Sequence, residues 1–136
     1  METLDVPTAP TGISLVICDS IYTDASTGKT ALVGVFSNIS AARFPATHRR
    51  CYAFASVTSV RKGNRLTLRI VNSESDEEVA NVETPVPENV TPLTICDFSI
   101  GLNNLEFPAA GKYHVELMAD GVILVQRPFY LVQSDS

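Results

Sequence analysis

Short runs of β-branched and aromatic residues, each closed by a turn signal, recur along the chain, and nothing long repeats with a helical period. Leu66, Leu68 and Ile70 alternate with Arg65, Thr67 and Arg69, and Tyr113, Val115 and Leu117 alternate with His114, Glu116 and Met118. Successive side chains of a strand point to opposite faces, so such runs have one dry side and one wet side. The expected strands cover about residues 12–22, 30–40, 50–60, 65–71, 79–84, 93–102, 112–119 and 122–132. Lys62-Gly63-Asn64 reads as a tight hairpin joining the third strand to the fourth, and Asp120-Gly121 as the strongest short hairpin in the chain. Pro85, Pro87 and Pro92 make their stretch an irregular edge, because proline donates nothing to a ladder.

Seven to eight strands with turns between them imply an all-β fold, a single antiparallel β-sandwich. With 136 residues the chain holds one core. The sandwich is placed at 12–132, after a flexible lead-in at 1–11 and before a short tail at 133–136. Gly111-Lys112-Tyr113 resembles the tyrosine corner of immunoglobulin-like domains, in which a Tyr opens a late strand and bonds back to the chain. Val115 stands where antibody domains carry a cysteine, and the chain has no Trp. An immunoglobulin-like sandwich outside the antibody type is therefore expected, with a C2-like or jelly-roll arrangement as the alternative.

The net charge of −5 and pI near 4.9 argue against a dedicated nucleic-acid binder and a polybasic membrane anchor. No apolar run approaches the ~18 residues of a membrane-spanning helix. The acidic start, Met1-Glu2-Thr3-Leu4-Asp5, lacks a secretory n-region, so a cytoplasmic protein is expected. Cys18, Cys51 and Cys96 are odd in number and widely spaced, and read as small buried hydrophobes kept reduced. Gly28-Lys29-Thr30 imitates a phosphate-loop tail, but Thr23 stands where the first Gly belongs and a strand follows in place of a helix. His48 and His114 are too isolated for a metal site, and no nucleophile signature accompanies them. No catalytic residue, metal or cofactor is expected, and the chain reads as non-enzymatic.

Charge is distributed unevenly. From Lys29 to Arg69 there are eight basic residues and no acidic one, whereas 71–136 holds two basic and eleven acidic residues. If 50–60 and 65–71 pair as a hairpin, Arg61, Lys62, Arg65 and Arg69 gather on it, with Arg49 and Arg50 at its far end. This set is either a basic face for an acidic partner or is neutralised within the fold by the acidic turn at 74–78. Tyr52 and Phe54 interleave with the arginines and are expected in the core, as strand aromatics commonly are.

Taken as a set, Cys18-Asp19, Thr27-Gly28-Lys29, Leu32-x-Gly34-x-Phe36, Phe44-Pro45, Phe107-Pro108-x-x-Gly111-x-Tyr113, Asp120-Gly121 and Arg127-Pro128-Phe129 resemble a family of small uncharacterised bacterial β-sandwich proteins. The resemblance covers about residues 13–132 and implies a fold and a bacterial source, with no activity to carry over. The expected role is a protein-interaction or accessory module, contacting an unidentified protein partner, or a second copy, through an edge strand or the basic residues. The alternative is a small-ligand, carbohydrate or calcium-binding module using end loops, with Asp19 and Asp24 as the acidic candidates.

Overall fold

A computed structural model describes residues 9–135 as nine strands in two sheets. The strands are β1 (Thr11–Thr23), β2 (Thr30–Val35), β3 (Asn38–Ala41), β4 (Ala46–Thr58), β5 (Leu66–Asn72), β6 (Glu78–Thr84), β7 (Ile95–Phe107), β8 (Gly111–Ala119) and β9 (Val122–Gln133). One sheet has the order β2-β1-β4-β7 and the other β3-β9-β8-β5-β6. Residues 1–8 of the expected lead-in, and residue 136 of the expected tail, lie outside the described residues.

Alternation drives the two layers together. Leu15 and Ile17 of β1, Ala53, Ala55 and Val57 of β4, and Phe98, Ile100 and Leu102 of β7 are buried against Leu66, Leu68 and Ile70 of β5 and Val115 and Leu117 of β8. The neighbours β1-β4-β7 and β9-β8-β5, with β3 parallel to β9, give the immunoglobulin-like arrangement. Tyr113 at the start of β8 is fully buried, and its hydroxyl donates to the Ala109 carbonyl at 2.7 Å. Its ring sits 5.1 Å from that of Phe107 and 5.8 Å from that of Phe129. The tyrosine corner is present.

Four expectations are corrected. The strand expected at 30–40 is broken into β2 and β3, which belong to different sheets. Gly34 has φ 72°, and a Cβ there would lie 2.5 Å from an Asp19 carboxylate oxygen. Beyond it, Phe36 N–H donates to Ile17 O in the first sheet while Ser37 O accepts from Tyr130 N–H in the second. Consecutive residues thus clip the two layers, and the strand number rises to nine.

The turn at 62–64 is not a hairpin. β4 pairs with β1 and β7, and β5 with β6 and β8. The inward sides of β4 and β5 each need burial, which they find by facing one another across the sandwich. The strand expected at 93–102 does not end there; β7 continues through Asn103-Asn104 to Phe107, with Asn104 at φ 52°.

Finally, Tyr52 and Phe54 are outside the core. Cys51, Ala53, Ala55 and Val57 are the inward residues of β4, and the two rings lie half-buried on the outer face.

Candidate interaction surface

Six residues were expected to form a basic face, and the fold distributes them over three places. Arg65 and Arg69 lie on β5 beside β6. Arg65 donates from Nε and Nη2 to the two Glu83 carboxylate oxygens at 3.1 and 3.2 Å. This bond and the Glu83 charge raise the Arg65 guanidinium above its ordinary range, which leaves it charged at any working pH. Arg69 Nε lies 3.2 Å from Glu78 Oε2 without hydrogen-bond geometry, a Coulomb contact only. These two arginines are neutralised within the fold.

Arg61 and Lys62 occupy the β4–β5 crossing, where the Asn64 side chain accepts the Arg61 N–H at 2.7 Å. Asp120 ties this crossing to the β8–β9 turn, accepting from Asn64 Nδ2 at 2.9 Å and from Arg65 N–H at 3.0 Å. The Arg61 guanidinium reaches the Ser59 carbonyl at 3.4 Å.

Arg49 and Arg50 stand apart near the other end of β4, both exposed. They sit on a kink shared by two strands. Cys51, Ala53, Ala55 and Val57 face inward, but beyond the arginines the partly buried positions are Ala46 and His48. In β7 the inward set changes likewise from Phe98, Ile100 and Leu102 to Leu105 and Phe107. Register holds through the kink, with His48 opposite Leu105 and Arg50 opposite Asn103. Both strands change face together, so Arg49 and Arg50 turn outward side by side.

From this kink an aromatic strip runs along the outer face of the four-stranded sheet. The Arg50 guanidinium carbon lies 5.7 Å from the Tyr52 ring centroid, a cation–π distance. The Tyr52 ring covers Gly101 on β7, where an added Cβ would meet it at 3.5 Å. Phe54 follows, opposite Val16 on β1 and Ser99 on β7. The strip ends at Ser56, whose hydroxyl donates to Asp97 at 2.6 Å. Among the described residues the ion pairs are Arg65–Glu83 and Arg69–Glu78; Arg49 and Arg50 belong to neither.

The remaining candidates have local partners. Asp24 accepts from Ser26 Oγ at 2.7 Å and from the backbone N–H of Ser26 and Thr27, and these bonds, the Ser26 hydroxyl first, hold its carboxyl below the usual range. The His48 ring leans on Phe36, with centroids 5.8 Å apart, and His114 Nδ1 lies 2.6 Å from Ser73 Oγ. Burial pushes the Cys51 thiol up to about 11, with smaller contributions from Cys18 and Asp19; burial, then Asp19, also raises Cys18. All three cysteines are unpaired. Among the described residues no three His, Cys, Asp or Glu side chains gather into a metal-holding group. No helix among them is long and apolar enough to cross a membrane.

Residues 13–132 match the family of unknown function DUF6941. The chain belongs to this family. Comparison with curated proteins returned no match. Two solved structures are similar at 11% identity. An immunoglobulin-like protein from Pseudomonas aeruginosa has a TM-score of 0.46 over 90% of this chain and 96% of that one. The alkylpurine DNA glycosylase AlkC of Pseudomonas fluorescens, bound to DNA containing an abasic site analog, has a TM-score of 0.45, covering 87% of this chain and 30% of that one.

The sequence reading missed the Tyr52–Gly101 contact and the shared kink. The kink does leave a signal. The apolar alternation 98, 100, 102 resumes at 105 and 107, a change of phase at two polar residues. The Tyr52–Gly101 contact has none, since it depends on which strands become neighbours.

Proposed function

We propose that this DUF6941 domain is a non-enzymatic interaction module that binds an acidic, extended protein segment on the outer face of the four-stranded sheet. The observation that carries this reading is the pair Arg49–Arg50, exposed and, among the described residues, outside the ion pairs, with Arg50 set over a half-buried tyrosine. Guanidinium groups supply forked donors for carboxylates, and an aromatic strip beside them gives apolar side chains a place to rest. The binding residues are Arg49, Arg50, Tyr52 and Phe54; the charges of Arg65 and Arg69 are answered by Glu83 and Glu78.

Two points support a non-enzymatic role. The Ser73–His114 contact is part-buried, and among the described residues no second hydrogen bond orients the imidazole in the way a nucleophile's base requires. His48 leans on the Phe36 ring, and its buried Nε2 has no hydrogen-bond partner among the described residues. Three unpaired thiols support a reducing, cytoplasmic setting.

The test is fluorescence anisotropy with a labelled peptide of alternating Glu and Val containing one Phe. Binding should weaken with salt. Arg49→Glu with Arg50→Glu should abolish it, and Arg65→Glu with Arg69→Glu should leave it nearly intact. Equal losses in both double variants, with folding preserved, would overturn the assignment of the site to the kink.

A further inference from the structure

Outer strands of a sheet present unpaired N–H and C=O groups, and proteins protect them by keeping them short or by placing charge or proline on them. Three of the four outer strands here follow that rule. β2 has six residues and β3 has four. β6 carries Glu78 and Glu83 and runs into Pro85 and Pro87. The fourth, β7, has 13 residues and, among the described residues, pairs on one side only, with β4. From Phe98 to Leu105 it holds no charge and no proline. The 85–94 connection ahead of it bonds within itself, Val90 N–H to Pro87 O and Thr94 N–H to Thr91 O, and to β4, where Thr94 O accepts from the Thr58 hydroxyl at 3.5 Å.

We infer that two copies of this chain pair antiparallel along β7 about Ser99, joining two four-stranded sheets into one of eight strands. The strand is its own complement in this register. Residues 95–103 form the regular stretch before the Asn104 kink, and Ser99 is its midpoint. Pairing about Ser99 sets Phe98 against Ile100, so the core-facing side of one copy continues into that of the other. Asp97 falls opposite Gly101 and not opposite a second Asp97, and Glu106 lies beyond the paired stretch, so no like charges meet. Ile95 is 64% exposed at the open end of this edge and falls opposite Asn103, within the paired stretch.

A single strand pairing is small beside the roughly 1,200–2,000 Å² buried in stable complexes, so the dimer is reversible and concentration dependent. Each copy carries −5, so added salt favours the pair.

Sedimentation velocity over a concentration series should show a monomer–dimer equilibrium that shifts toward dimer with salt. Ser99→Lys places like charges opposite one another at the two-fold axis. It should leave a monomer with an unchanged circular dichroism spectrum and melting point. In a Cys96→Ser background, Ser99→Cys should form an intermolecular disulfide under mild oxidation far faster than Gln126→Cys, which sits exposed on β9. A wild-type monomer at all concentrations, or equal cross-linking at the two positions, overturns the proposal. So does a dimer that folded Ser99→Lys leaves intact. None of these readouts involves Arg49 or Arg50, so the dimer and the acidic-segment site stand or fall separately.

Discussion

Replacing Tyr113 with Phe removes one hydroxyl from the core and keeps the ring. That hydroxyl donates to the Ala109 carbonyl at 2.7 Å, while the ring is fully buried between Phe107 and Phe129. An intramolecular hydrogen bond contributes about 0.5–1.5 kcal/mol net, and more where its loss strands a buried partner. Ala109 is exposed, so its freed carbonyl meets water and the additional penalty does not arise. The expected loss is about 1 kcal/mol, or roughly 3–5 °C in Tm for a chain of this size. Tyr113→Ala also vacates the ring position, and filling fails there because the neighbours are rings with fixed shapes. Its cost should reach about 3–5 kcal/mol. The chain has no Trp, so urea unfolding is best followed by far-UV circular dichroism. The slope m should be the same in wild type and Tyr113→Phe, since the unfolded surface hardly changes. A Tyr113→Phe midpoint equal to wild type would show that the corner bond contributes nothing. A loss as large as that of Tyr113→Ala would refute the division between ring and hydroxyl.

Gly12→Ala should destabilise by about 1–3 kcal/mol, because its Cβ would stand 2.8 Å from Leu124 O and 2.9 Å from Val125 Cβ, atoms of a paired strand that cannot swing away; thermal unfolding measures this. Arg65→Ala should leave Tm unchanged, since both partners of its ion pair are well exposed. Cys51 is protonated in the fold up to about pH 11 but ionises near 9.0 when unfolded. Its contribution is therefore complete below pH 9 and is lost as pH rises through about 11. Urea midpoints across that window should fall more steeply for wild type than for Cys51→Ala. Below it, a thiol reagent should label the half-buried Cys96 first and leave Cys51 unmodified until the chain opens.

Much of the fold was legible because strands announce themselves locally. The alternation at 65–71 and 112–119 and the Asp120-Gly121 turn depend on residues close in sequence, and β5, β8 and the β8–β9 hairpin lie where they were expected. Tyr113 was legible for a similar reason, as its partner Ala109 is four residues away. Partners across the sandwich were not. Lys62-Gly63-Asn64 turns the chain as a hairpin would, yet the strands on either side part company into different sheets. That choice rests on which apolar faces need cover, a property of the whole chain. The two readings of the basic residues divide along the same line: Arg69 meets Glu78, at the end of the acidic turn that the sequence offered, whereas Arg65 meets Glu83 further along β6, a partner that local sequence does not name. Tyr52 and Phe54 were assigned inward on the habit of their residue type, whereas the phase of Cys51, Ala53, Ala55 and Val57 decides the matter.

The shared kink has a consequence for how such a chain can vary over generations. At Arg49-Arg50 and Asn103-Asn104 both strands exchange faces without losing register. Deleting one residue from either strand alone would turn half of its buried side chains toward water, since a one-residue slip reverses every position beyond it. Deleting one from each, at the kink, would restore the match. Length changes here should therefore be inherited in pairs, more than fifty positions apart in the chain.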